Sequence, residues 1–130
     1  MTHEIGKILI QQKKYKKAFL IFSKLLEKNS NDFKANFHMG RIYYDLNILD
    51  KSIFFFQKSN KLQPNNPNII FNLALALQGV GKIESAKEKY LNLISINEND
   101  VKSYYGLFIL GNNNINTKHL EKLKNLNKED

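Results

Sequence analysis

The sequence predicts an all-α protein assembled from repeated helix pairs, and three observations carry that expectation. A period of 34 residues runs through the chain. Within each period, apolar residues recur at spacings of three and four, the signature of amphipathic helices. Clusters of Asn, Gly, Lys and Pro then separate the helical segments at the same interval.

Counting from Gly40 in steps of 34 reaches Gly6, Ala74 and Phe108, and the first three of this register are very small. Ala18, Ser52 and Ala86 form a second small register, Phe22, Phe56 and Tyr90 an aromatic one, and Ile5, Met39, Leu73 and Leu107 an aliphatic or thioether one. No insertion interrupts the count. A glycine inside a helix costs roughly 1 kcal/mol relative to alanine. Gly40 at the centre of NFHMGRIYY therefore implies the close approach of a second helix.

The elements follow in order. In the first unit Lys13-Lys14 occupies the inter-helix turn and Asn29-Ser30-Asn31-Asp32 the exit. In the second, Asn36, Met39, Gly40 and Tyr43 share one helical face, and Asn47 follows as a left-handed C-terminal cap. A partner helix is expected over about Leu49–Leu62, with Ser52, Phe56 and Ser59 on its inner face and Gln63-Pro64-Asn65-Asn66 closing it. The third unit repeats the arrangement, with Gly81 in the turn and Asn97-Glu98-Asn99-Asp100 at the exit. Residues 101–110 begin a fourth unit. A last short helix is expected from near Thr117, with His119, Leu120, Leu123 and Leu126 as its apolar side.

This pattern resembles the tetratricopeptide repeat family. The match is fullest at residues 33–66, F-K-A-N-F-H-M-G-R-I-Y-Y…S-I-F-F-F-Q-K-S-N-K-L-Q-P-N-N, and Ser30 and Glu98 stand where the family prefers proline. The resemblance implies a right-handed α-solenoid of antiparallel helix pairs. It divides a single domain, 1–130, into units at 1–32, 33–66 and 67–100, with a partial fourth unit and capping helix over 101–127. The segment SYYGLFILGNNNINTKHLEKLKNL is also similar to the junction that follows the repeats in bacterial tetratricopeptide-sulfotransferase fusions.

Composition narrows the function classes. With 130 residues, 42% hydrophobic and 25% charged, the chain suits one ordinary globular domain. The absence of cysteine excludes disulfides, thiol catalysis and cysteine zinc sites, and fits a reducing compartment. The N-terminal MTHEIGKILIQQKKYKK does not read as a signal peptide, and IIFNLALAL at 69–77 falls short of a membrane span. A cytoplasmic protein with no membrane partner is expected. The net charge of +8 invites a polyanion. Against this, Arg41 is the only arginine and the lysines are distributed along the sequence, which favours a solvated surface over a nucleic-acid site.

No catalytic constellation emerges. GVGK at 79–82 lacks the earlier glycine of a phosphate loop, where Ala76 stands, and the following Ser or Thr, where Ile83 stands. His3, His38 and His119 are too dispersed for ligand spacing, although the repeat brings His3 and His38 onto adjacent first helices. No enzyme activity, cofactor or metal is expected.

In the family the first helices line a concave groove. The resemblance therefore places Lys7, Lys34, Phe37, His38, Arg41, Tyr44, Asn68, Phe71, Asn72 and Tyr105 as peptide-binding residues, with His3, Asp45, Leu75, Gln78 and Lys102 beside them. Phe37, Phe71 and Tyr105 share one register, an aromatic stripe edged by cations. Such a surface suits an extended peptide carrying an acidic side chain or a free carboxylate. Arg41 is the best single candidate, because a planar guanidinium holds a carboxylate bidentately. Some family members clamp a C-terminal carboxylate with a set of lysines and asparagines. Here His3 replaces a lysine of that set, Lys7 an asparagine, and Asn68 and Asn72 two further basic residues, a departure that argues against a chaperone-tail clamp. On the other side Leu20 and Phe54 occupy a usually polar position and offer a contact for self-association. The leading expectation is a non-catalytic protein-binding scaffold. An accessory module of a sulfotransferase-like or other protein-modifying transferase ranks second, and nucleic-acid binding third.

Overall fold

The computed structural model describes residues 2–111, all of whose regular elements are helices. They are α1 (Thr2–Gln11), α2 (Tyr15–Lys28), α3 (Phe33–Asp45), α4 (Leu49–Leu62), α5 (Pro67–Gly79), α6 (Ile83–Ile96) and α7 (Val101–Leu110). Each helix packs on the next, and α3 also touches α1 and α5. The result is an all-α solenoid in which the first helices of successive pairs lie side by side. The expected capping helix from Thr117, and most of the segment that resembles a sulfotransferase junction, lie outside the described residues.

The turns within pairs repeat as the sequence does. Lys13 (φ 61°), Asn47 (φ 60°) and Gly81 (φ 83°) all take the left-handed conformation at 34-residue spacing. In each case the next residue donates its N–H five residues back: Lys14 to Leu9 at 2.8 Å, Ile48 to Tyr43 at 2.8 Å and Lys82 to Leu77 at 2.9 Å. This is the Schellman closure, which satisfies carbonyls left open at a helix end. The exits repeat too. The Asp32, Asn66 and Asp100 side chains cap α3, α5 and α7, accepting from the N–H groups of Ala35, Ile69 and Ser103.

The core forms where the registers meet. Ala18, Ser52 and Ala86, and Phe22, Phe56 and Tyr90, are all fully or almost fully buried. Gly40 lies against the Phe56 ring so closely that a Cβ there would stand 2.5 Å from ring carbons. Ser52 fills its slot differently from the alanines of its register, because its Oγ donates to the Gly40 carbonyl at 2.8 Å. Met39, Leu73 and Leu107 are buried, but Ile5 in the same register is 51% exposed, since α1 has no preceding helix pair among the described residues. In α7 the count holds: Phe108 is half-exposed, and Gly106, in the His38 register, lies against the Tyr90 ring of the preceding pair as His38 lies against Phe22.

Two loops show what replaces the proline of the consensus. Asn36 is fully buried and its Nδ2 donates to the carbonyls of Ser30 at 3.1 Å and Asp32 at 2.9 Å. In the same register Tyr104 donates its hydroxyl to the Glu98 carbonyl at 2.9 Å. Both side chains tie down the exit loop from the helix that follows it.

Candidate functional site: a groove along the first helices

The first helices α1, α3 and α5 together line an open cavity of about 240 Å³. Lys7, Phe37, His38, Arg41, Asn68 and Asn72 surround it, with Ile10 and Gln11 from the end of α1. A second concavity continues past Lys34 towards His3, sharing Lys7, Phe37, His38 and Asn68. A third lies between α5 and α7, where Asn68 and Phe71 face Lys102. Eight of the ten residues expected from the sequence thus line connected hollows. Tyr44 and Tyr105 line none of these three.

Arg41 is held from three sides. Its guanidinium donates to Asn72 Oδ1 at 2.7 Å and to Asp45 Oδ1 at 3.4 Å, and it sits 5.5 Å from the centre of the Tyr44 ring. Asn72 is in turn fixed by donating to the Asn68 carbonyl at 2.8 Å. An amide on one repeat therefore orients the cation of the previous one, and guanidinium donors remain for a ligand. Tyr44 touches Arg41 through this cation–π contact without lining the hollows itself. The Asp45 pair is exposed and screened, so it weakens the positive charge of Arg41 without cancelling it.

The aromatic stripe is partly structural. Phe37 packs against Phe56 at 5.6 Å and Phe71 against Tyr90 at 6.2 Å, both rings remaining partly exposed. Lys102 Nζ stands 5.8 Å from the Phe71 ring centre. Gln78, also expected in the groove, accepts from the buried Tyr90 hydroxyl at 2.8 Å. Burial, and then the neighbouring Tyr44, push the Tyr90 hydroxyl up to about 12.

The two groove histidines differ from each other. His38 stacks on Phe22 at 4.9 Å. Burial lowers its pKa to about 4, with the positive charges of Lys7 and His3 adding to the effect. It is therefore neutral near pH 7, a packing surface and hydrogen-bonding group rather than a third cation. His3 donates to Asp32 at 2.7 Å. Partial burial works against the Asp32 carboxylate, but the Ala35 N–H and His3 outweigh it and hold Asp32 below its ordinary range. Among the described residues no cluster of three His, Asp or Glu side chains could hold a metal ion, and no helix is long and apolar enough to cross a membrane.

Ile10 and Gln11 were not anticipated. Their signal was available, since Ile10 stands one 34-residue step before Tyr44 and Gln11 one step before Asp45. The Arg41–Asn72 bond had no such signal. Its partners lie 31 residues apart, off the period.

Comparisons with known proteins bear on the repeats and the fold. Residues 33–66 and 55–88 each match the tetratricopeptide repeat. A TPR repeat-containing protein of Methanocaldococcus jannaschii is 35% identical over 92 residues, which is 67% of this chain and 29% of that relative. The chain thus spans less than a third of that relative's length. Among solved structures, MamA from Desulfovibrio magneticus superposes with a TM-score of 0.86 at 17% identity, over 99% of this chain and 75% of that one. The first TPR of Spaghetti (RPAP3), solved bound to an HSP90 peptide, gives 0.71 at 15% identity, over 98% and 89%. At such identities the likeness is one of fold. The chain is therefore an all-α solenoid that carries tetratricopeptide repeats.

Proposed function

We propose that this protein is a non-catalytic scaffold of the cytoplasm. Its groove along α1, α3 and α5 binds an extended protein segment that presents an acidic side chain or a free carboxylate. The observation that carries this reading is the cavity where Lys7 and the oriented guanidinium of Arg41 stand beside the exposed edge of Phe37. A carboxylate would be met by charge-assisted hydrogen bonds and an adjoining apolar side chain by the ring. The peptide-bound neighbour of the same fold supports a peptide as the class of ligand. His3, Lys7, Asn68 and Asn72 still depart from the family's lysine-rich clamp, so the ligand need not be a chaperone tail.

The test is binding of unstructured peptides, acidic and aromatic, by fluorescence anisotropy to the wild type and to Arg41→Ala and Phe37→Ala. Micromolar binding lost in both variants, with helicity retained, is the expected result. Normal binding of every partner by both variants would remove the groove assignment.

A further inference from the structure

The face carried by the second helices holds a feature that the groove does not use. Leu20 on α2 and Phe54 on α4 are 53% and 59% exposed, unusual for large apolar side chains. Phe54 ends a row of rings that runs from α2 across α3 to α4: Phe19 meets Tyr43 edge-on at 6.2 Å, Tyr43 stacks on Phe55 at 5.7 Å, and Phe55 meets Phe54 edge-on at 5.2 Å; Leu20 adjoins Phe19 in the chain. Phe19, Tyr43 and Phe55 are each only partly buried, so the row reaches the surface along its length.

Lysines flank the two exposed apolar residues along their helices. Lys16, Lys17 and Lys24 lie three or four residues from Leu20 along α2, with Glu27 a turn further on. Lys51 and Lys58 flank Phe54 in the same way, opposed by Asp50, and Lys51 Nζ stands 5.5 Å from the Tyr43 ring centre. The third pair breaks the pattern. Glu88 on α6 occupies the Phe54 register, and Glu84 and Glu88 balance Lys87 and Lys89 there. On the first two pairs, lysines thus stand at helical spacing from exposed apolar residues, which the third pair does not repeat.

We propose that this strip is a second docking surface, for a protein segment that combines acidic residues with apolar side chains. The apolar row is narrow, a single file of rings from α2 across α3 to α4, and so accepts the side chains of one helix or strand. The lysine rim selects the charge of what surrounds them. A second copy of this chain carries the same excess of lysine and would be repelled. A phosphate backbone would find no use for Leu20, and the Phe55 face that a base might stack on is taken by Tyr43. This proposal does not depend on the groove reading.

The test uses a short blocked peptide of Glu and Asp with Leu and Phe at every third or fourth position, and a control in which serine replaces the Leu and Phe. Both are titrated against the wild type, the outer-face variant Leu20→Gln/Phe54→Gln and the groove variant Phe37→Ala/Arg41→Ala. Thermal melts confirm that the outer-face variant, altered only at exposed positions, keeps its fold. Because the groove itself is expected to take acidic peptides, the proposal is read in the groove variant, where the peptide should still bind. Adding Leu20→Gln/Phe54→Gln to that variant, or using the serine control on it, should weaken the binding about tenfold or more. Absence of binding to the groove variant would overturn the proposal, as would binding there that Leu20→Gln/Phe54→Gln leaves unchanged. Two further results would also overturn it: outer-face-dependent retention of oligo-dT or phosphatidylserine vesicles without retention of the peptide, or self-association abolished by Leu20→Gln/Phe54→Gln in sedimentation velocity.

Discussion

Replacing Gly40 by alanine isolates the helix crossing of the second pair in a single methyl group. The added Cβ would stand 2.5 Å from Cδ1 and Cε1 of Phe56 and 3.1 Å from its Cγ. Phe56 is fully buried and its ring is braced by Phe37, so it has little room to retreat. Overpacking of this kind costs about 1–3 kcal/mol. Alanine returns about 1 kcal/mol of helix propensity, so with the overpacking in the upper part of that range, about 2–3 kcal/mol as a braced ring implies, a net loss of about 1–2 kcal/mol remains. For a domain of this size that is a fall in Tm of roughly 4–8 °C, read by circular dichroism. Pairing it with Phe56→Leu should relieve the clash, so that the double variant is more stable than the sum of its parts by about 1 kcal/mol. Gly40→Leu should splay the repeat and abolish cooperative unfolding. The third pair supplies the counter-case, because Ala74 sits in the Gly40 register opposite Tyr90. If Gly40→Ala melts at or above the wild-type temperature, the second pair can open to the spacing of the third and the crossing argument fails.

Acid should weaken the fold through His38. The unfolded chain binds its proton near pH 6.5, whereas the folded one, with the ring buried on Phe22, does so only near pH 4. Stability is thus complete above about pH 6.5 and declines as pH falls towards 4, by about 1 kcal/mol between pH 7 and 5 after allowance for partial exposure. Urea midpoints of His38→Phe, which keeps the stacking without the titration, should show a flatter profile over that range; an unchanged slope would exclude His38 as the cause. Lys13→Gly should raise stability by about 0.5–1 kcal/mol, because φ 61° suits glycine better than lysine; an unchanged or lower denaturation midpoint would contradict this. Asn72→Ala should weaken binding of acidic peptides less than Arg41→Ala, since it removes only the orientation of the guanidinium. Equal losses in isothermal titration would mean that Asn72 meets the ligand directly.

Much of the architecture was legible because it is local. The expected helix over Leu49–Leu62 has those bounds, the left-handed cap at Asn47 is present, and Ser52, Phe56 and Ser59 are all fully buried. Helix period, proline and asparagine breaks and left-handed turns each depend on a few adjacent residues, so a single chain displays them. The partial fourth unit keeps the count too: Leu107 is buried in the Met39 register, and Gly106, in the His38 register, meets the Tyr90 ring of the preceding pair.

The groove was legible as a list of positions and not as a set of interactions. His38 occupies a groove position but spends its ring on Phe22, and Arg41 owes its orientation to an asparagine in the next helix pair. The sequence by itself determined the 34-residue period, the helices and their turns, and which faces would be apolar. Only the tertiary structure decided which polar groups meet across that period, and that Phe19, Tyr43, Phe55 and Phe54 form one row with Lys51 over the Tyr43 ring. The reason is physical. Period and turn are properties of backbone dihedrals and side-chain spacing along one segment. Contacts between segments depend on how neighbouring helix pairs pack, and that packing brings together residues whose separation no local pattern encodes.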